Sequence, residues 1–398
     1  MRRLPFLLVG LVVCGCSEDP QSPRPLEATS DESLVRVTPS VEYEIIKLDW
    51  LGGPTARGSG INDAGWVAGY SDTSGARHAV LWRDGLTIDL GTLGGPSSNV
   101  QWPGINDDGM IVGISQTSTP DTLGETWSCS AFIPYAGKTC VGFVYDNGVM
   151  TALPTLGGDN GFAAGVNNRG QVVGWAENTV RDSTCRGTQK LQFHAVMWEP
   201  RTGRVVELHP ATGHSASAAT AINDSGQVVG ISGECDVAVG RFSARRSVMW
   251  EDGNVKELPD LGGVSWHTPM AINNRGDVVG FSNPPGDADG RFIARAFLWT
   301  GGKSVTDLGT LKGDATSQAR GLNRWRQVVG VSSGPNGTRP FLWQNGKMED
   351  LNTLVARGFA DSLVSAQDIT DDGRITGALV ERSTGRVLTY VAVPVARP

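Results

Sequence analysis

Three residue types in this chain have the chemistry and the spacing to suggest a site: cysteine, histidine, and aspartate next to asparagine and glycine. Cys129, Cys140, Cys185 and Cys235 form an even set with no CxxC spacing. In an exported protein such a set reads as two disulfides, with three possible pairings; a metal site is the rival reading. The five histidines are sparse. His78 and His194 stand where similar segments carry Arg246, Arg295 or Arg339. That interchange points to a polar structural contact, not to base or metal duty. His209 and His214 lie close in sequence but lack further ligands nearby. Short runs of Asn-Asp-x-Gly gather carboxylates beside a glycine, as calcium loops do. The runs lack the full set of oxygen offsets and the distal Glu, and several carry Arg in place of an acid, so they read as hairpin turns. Asp121, Glu125, Asp182, Glu234, Asp236, Asp287 and Asp289 crowd the irregular segments. Pairing them as glycosidase carboxylates needs separations that a sequence does not contain. No nucleophile elbow, HExxH or P-loop occurs. The expectation is no catalytic residue, no metal and no cofactor.

The elements that carry these residues repeat. Ile61-Asn62-Asp63-Ala64-Gly65 returns as residues 105–109, 166–170, 222–226 and 272–276, in a degenerate copy at 322–326, and as Ile369-Thr370-Asp371-Asp372-Gly373. The intervals are 44, 61, 56, 50, 50 and 47 residues. A second phrase follows, His/Arg-Ala-Val/Phe-Leu-Trp, ending at Trp82, Trp198, Trp250, Trp299 and Trp343, with Tyr145 and Tyr390 in the other two copies. A third, Asp-Leu-Gly-Thr-Leu-Gly-Gly, is clearest at 89–95. Each unit contains four short strands separated by turn chemistry: one before Ile-Asn, then Val-Val-Gly, the Trp phrase and the Asp-Leu-Gly phrase. Four strands at a period of about 50 residues describe a propeller blade. The 53 glycines, about twice the usual share of ~7%, act as the punctuation of those blades.

The ends decide between a ring and an open array. The seventh unit stops after three strands. The missing fourth phrase occurs unpaired at Tyr43–Gly53. The expected fold is therefore all-β, a seven-bladed β-propeller of four-stranded blades spanning 41–398, its last blade completed by the N-terminal strand. A linear β-solenoid is the competing fold; unequal unit lengths and the split unit count against it. In a ring, Cys129 and Cys140 share one insertion, while Cys185 and Cys235 lie in neighbouring blades, so Cys129–Cys140 and Cys185–Cys235 are the expected bridges.

The phrases GINDAGWVAGYS, HAVLW and DLGTLGG resemble the bacterial extracellular HAF repeat, across roughly residues 43–398. The resemblance implies a secreted or surface protein and implies no activity. Copies two, six and seven depart from the pattern. The N-terminus fits that setting. Arg2 and Arg3 precede a short apolar stretch, too short to span a bilayer, that ends at Val13-Cys14-Gly15-Cys16. This resembles a lipobox. The expectation is a signal peptide over 1–16, lipidation at Cys16 and a flexible Pro/Ser/acidic tether over 17–40. Ser17 after the cysteine favours the outer membrane, or the cell surface, by the same family-level resemblance.

The net charge of −7 gives no general attraction to nucleic acid or to an anionic membrane surface, leaving the lipid as the membrane contact. Insertions fall after strands two and four, at 115–140, 176–192, 232–245 and 282–294, and these loops emerge on one face. Binding residues concentrate on such loops. The off-consensus aromatics Trp102, Trp127 and Trp266, with His267, are the ligand-binding candidates, although each is also suited to anchoring its loop. Two functions follow: a monomeric, surface-anchored binding or scaffold module for a protein or glycan, or an exported propeller enzyme acting on polysaccharide. Fold alone does not support the second.

Overall fold

The computed structural model describes residues 41–287 and 290–395, apart from the side chains at 127 and 128. The proposed signal peptide, Cys16 and the tether lie outside these residues, as does Asp289. The described residues form one compact unit. It contains seven antiparallel sheets of four strands each. We number the blades in chain order. Their innermost strands are Ala56–Ile61, Gly94–Asn99, Gly157–Val166, Ala216–Ile222, Thr268–Ile272, Thr316–Leu322 and Ser362–Ile369.

Blade 7 is closed by the other end of the chain. Glu42–Lys47 pairs antiparallel with Val387–Val395, from Glu42 opposite Val395 to Lys47 opposite Tyr390. The Tyr43 amide also donates to the Leu354 carbonyl and the Ala356 amide to the Tyr43 carbonyl, which joins this strand to the end of blade 6. Closure leaves no exposed inner edge.

The Val-Val-Gly phrase has a steric cause. Innermost strands carry a β-bulge, as at Gly58/Gly60, Ala219/Ala221 and Ala319/Gly321. The bulged carbonyl presses on the second strand. A Cβ at Gly69 would lie 2.0 Å from the Arg57 oxygen, at Gly230 2.1 Å from that of Ala218, and at Gly377 2.0 Å from that of Ser365. No side chain fits there, so each blade keeps glycine.

The Asn of each turn does more than close a hairpin. In blade 4 the Asn223 Oδ1 accepts from the amides of Ser225 and Gln227. Its Nδ2 donates to the Asn273 carbonyl of the next blade at 3.1 Å. Equivalent bonds run from Asn62 to Asn106, Asn106 to Asn167, Asn167 to Asn223, Asn273 to Asn323 and Asn323 to Thr370, at 3.0 to 3.2 Å. At the last junction Thr370 has no amide to offer. There Arg374 reaches the Asp63 carbonyl at 2.7 Å and Asp368 accepts from the Ile61 amide at 3.0 Å. The Trp of the second phrase adds a tie near the rim: Trp198 and Trp250 are buried and donate to the carbonyls of Pro154 and His209 in the preceding blade.

Asn223→Ala removes the turn acceptor and the inter-blade donor together and leaves buried backbone groups unsatisfied. The expected loss is about 2–4 kcal/mol of stability, read from urea unfolding. Asn223→Asp keeps the acceptor but not the donor and should lose less than the alanine variant at neutral pH.

Candidate functional site

The two faces differ in how they are built. Turns from first to second strand form one mouth of the central channel, a cavity of about 450 Å³ lined by the repeated Ile-Asn-Asp residues. The second residues of these turns make an outer ring of bonds. The amides of Asp63, Asp107, Asn168 and Asp224 donate to the side chains of Asp107, Asn168, Asp224 and Asn274 in turn. Burial, reinforced by the charges of Asp107 and Asp371, raises the Asp63 carboxyl above its ordinary range. Asp368, deeper in the channel, is pushed up to about 7 by burial. This mouth is acidic, and each turn is held by its neighbours.

The opposite face carries the insertions. In blades 2 and 3 the second and third strands lengthen into projecting hairpins, Ile111–Pro120 with Lys138–Asp146 and Val172–Arg181 with Leu191–Glu199. Cys129 is bonded to Cys140 and Cys185 to Cys235, so the expected pairing is the one present. The second bridge ties blade 3 to blade 4. Beneath the face, Trp102, Phe132, Phe162 and Trp175 pack together, with Phe162 stacked on Trp175 at 4.5 Å between centroids. This apolar cluster joins the innermost strands of blades 3–5, with Trp102 and Ile114 of blade 2, to the insertions.

The candidate ligand residues take unequal places. Trp102 follows the innermost strand of blade 2 and is buried in that cluster, not displayed on the face. His267 is fully buried; its Nδ1 meets the Ser282 hydroxyl at 2.7 Å and its Nε2 the Gly263 carbonyl at 3.2 Å, while burial lowers its pKa. Both therefore act from within the wall. Trp266 is part-exposed, donates to the Gly290 carbonyl and meets Phe292 edge-on at 5.2 Å. Its φ of 64° is unusual for a bulky residue, as is the 57° of Val239 in the blade 4 insertion. Trp127 lies on the short helix Thr126–Ser130, and its side chain is outside the described residues.

His78 faces Asp89 at 2.8 Å, and Arg295 and Arg339 face Asp307 and Asp350 at 2.9 and 3.1 Å. His194 makes the same contact with Glu207. These are cross-strand pairs between the third and fourth strands, which accounts for the interchange with Arg. His209 groups with His194 and Glu207, its Nδ1 3.6 Å from the carboxylate, and not with His214, which bonds Ser232. The repeated pairing explains the contact without an ion.

One set of residues was not singled out in the sequence. The residue ending the second-strand phrase holds the insertion above it. Gln116 donates to the Pro134 carbonyl, and Asn283 to that of Arg291. Glu177 accepts from Asn160 and Gln189. All three are buried. A polar residue recurring just past Val-Val-Gly in blades 2, 3 and 5 was the available signal. Glu177 is pushed up to about 7, by burial first and then by the charge of Glu125. Glu125 is itself raised by burial, and its Oε1 holds the amides of Lys190 and Leu191. The two carboxyls resemble an acid pair but are sealed from solvent.

Raised carboxyl pKa values favour the folded state while the groups stay protonated. For Glu177, rising from 4.5 to about 7, stability is full below pH ~4.5 and declines as pH climbs to ~7, by about 3 kcal/mol at most. Urea unfolding of the Glu177→Gln variant across pH 5–8 should show a shallower decline than the native chain. Reducing Cys185–Cys235, 50 residues apart, should cost about 4 kcal/mol on a chain-entropy account. Unfolding with and without reductant measures it, with Cys185→Ser as the single-bridge control.

No protein-family model matches the chain, and no curated protein matches it. Solved structures do. An uncomplexed acylaminoacyl peptidase of Pyrococcus horikoshii superposes with a TM-score of 0.52 at 14% identity, over 85% of this chain and 51% of that one. The acylaminoacyl peptidase bound to Z-Gly-Gly-Phe-chloromethyl ketone gives 0.53 at 14%, over 85% and 51%. An oligogalacturonate lyase in complex with manganese gives 0.49 at 12%, over 89% and 96%. The chain spans about half the length of the two peptidases. At these identities the likeness is one of fold: the seven-bladed propeller shared with peptidase propeller domains.

Proposed function

We propose that the chain is an exported binding module, held to the cell envelope by a lipid on Cys16, that engages a partner through the insertion face of blades 2–5. One observation carries this reading. Tyr135, Val180, Val237 and Val264, from successive parts of that face, are 37, 50, 40 and 48% exposed. Beside them, the guanidiniums of Arg186, Arg241 and Arg245 surround the Phe242 ring at 3.7, 5.0 and 5.0 Å, with Glu234 paired to two of them. Exposed apolar side chains among arginines and aromatics are the composition of binding surfaces. The two disulfides and the buried polar anchors hold the loops in one arrangement, which lowers the ordering cost of binding. They also fit an oxidising compartment outside the cytoplasm. The HAF-like phrases and the lipobox-like leader support the same location. A protein partner suits this surface better than a glycan. The polysaccharide-enzyme reading draws no support from Glu125 and Glu177, which are enclosed.

The test uses residues 41–398 immobilised and exposed to solubilised envelope and to an array of envelope glycans. Specific capture should disappear in the triple variant Tyr135→Ser, Val237→Ser, Val264→Ser. It should persist when Leu86 and Val205, exposed on outermost strands, are changed to serine. Capture indifferent to the triple variant would refute the face, and turnover of a captured polymer would refute a binding-only role.

A further inference from the structure

The innermost strands of blades 6, 7 and 1 bring Arg320, Gln367 and Arg57 to the channel wall from three adjacent blades. Among the described residues neither guanidinium forms an ion pair. Arg320 donates to Gln367 Oε1 at 2.9 Å and to Gln318 Oε1 at 3.1 Å. Arg57 donates to the Gln101 carbonyl at 3.1 Å and lies over the Tyr70 ring at 5.1 Å. These partners are neutral. The neighbouring Arg77 already has its own carboxylate, Asp72, at 2.8 Å.

Three donors in this group remain unused: Nε of Arg57, Nε of Arg320 and Nε2 of Gln367. Gln367 is only 2% exposed, so its free amide has no bulk water to turn to. An arginine does not shed its proton to escape such a place. Enclosed charge without a counter-charge is unfavourable, and two like charges near each other add to it. In line with this, burial first and Arg57 second push the Arg320 guanidinium down to about 10. The apolar cluster of Trp102, Phe162 and Met270 occupies the side of blades 2–5. The unused donors therefore lie on the side of blades 6, 7 and 1.

We infer that the channel between Arg57, Arg320 and Gln367 is a binding site for an oxyanion, the carboxylate or phosphate of a small ligand. Planar guanidiniums and an amide match such oxygens with parallel N–H donors, and the charge-assisted bonds formed are strong. The site does not rest on the insertion-face reading: its ligand is a small anion, and none of Tyr135, Val237 or Val264 takes part in it.

Calorimetric titration of the intact domain with inorganic phosphate and with glucuronate, glucose serving as the neutral control, tests the inference. One or both anions should bind at millimolar concentration or better, and glucose should not. Preference for one anion identifies the group. Arg320→Gln and Arg57→Gln should each weaken binding by about tenfold or more, the scale of a lost charge-assisted contact. Arg204→Gln, on the outermost strand of blade 3 and paired with Glu199, should leave it unchanged. Gln367→Leu keeps both charges and removes the free amide; it should weaken binding with native circular dichroism, and it serves if an arginine variant does not fold. Bound anion should also raise the native protein's unfolding temperature. No binding of either anion up to tens of millimolar, or equal binding by native protein, Arg320→Gln and Gln367→Leu, overturns the inference.

Discussion

The ring depends on one property of asparagine: its side chain carries an acceptor and a donor at once. In the first six blades the acceptor closes the turn and the donor reaches the carbonyl of the following blade. Aspartate would close the turn and leave the neighbour unbonded. Serine would be too short to do both. This explains why Asn62, Asn106, Asn167, Asn223, Asn273 and Asn323 do not vary within the chain, while the next position accepts Asp, Asn or Arg. The exception lies where the ends of the chain meet. Thr370 closes its turn through a hydroxyl, and Arg374 and Asp368 make the connections to blade 1. Closure there is made by long side chains and by the strand Glu42–Lys47, so the junction is mended at both its inner and outer edge.

Clamping the inner strands at one end leaves the other end free to vary. The glycine under each bulge keeps the first two strands in register whatever follows. Blades 2 and 3 could then extend their second and third strands by several residues, and blades 4 and 5 could insert irregular loops, without disturbing the channel mouth. Such loops need their own supports. Blade 4 uses a disulfide to blade 3; blades 2, 3 and 5 use Gln116, Glu177 and Asn283. Glu177 shows the drawback of a carboxyl in that role. It is buried near Glu125, and its proton is retained toward neutrality. The amides at the two other positions do the same work without a charge.

Much of this was legible because the chain repeats itself. Seven aligned copies reveal strands, turns and the split seventh blade more surely than any single copy, and the bridges followed from where four cysteines fell on that frame. What was not legible depends on the third dimension. Trp102 and His267 stand off the repeated pattern, which distinguishes them without saying whether they point outward or inward; Trp102 is buried because pairing of the innermost strand of blade 2 breaks after Asn99 and resumes at Gly104 and Ile105, and the indole of the interrupted stretch packs into the apolar cluster. The channel lining was hidden for another reason. Its residues come from seven segments tens of positions apart and meet only when counted back from each turn. Three before the turn residue stand Ser59, Pro103, Ala164, Thr220, Met270, Arg320 and Gln367. Their charge is invisible in a composition that is acidic overall.

That lining gives a nearly symmetric ring a direction and a side. At the turn mouth the carboxylates of Asp63, Asp107, Asp224 and Asp371 face the axis, and amides or an arginine stand at the remaining positions. Further along the innermost strands stand Arg57 and Arg320, on blades 1 and 6, with neutral partners. Across from them blades 2–5 are packed with aromatic and aliphatic side chains. None of these changes touches the asparagine clamp or the glycine beneath the bulge. The repeat therefore separates two tasks by position: the residues that hold the ring recur, and those one turn further along the innermost strand are free to differ. An anion held between Arg57 and Arg320 would lie beyond the carboxylates of the turn mouth, whose repulsion disfavours entry by that route.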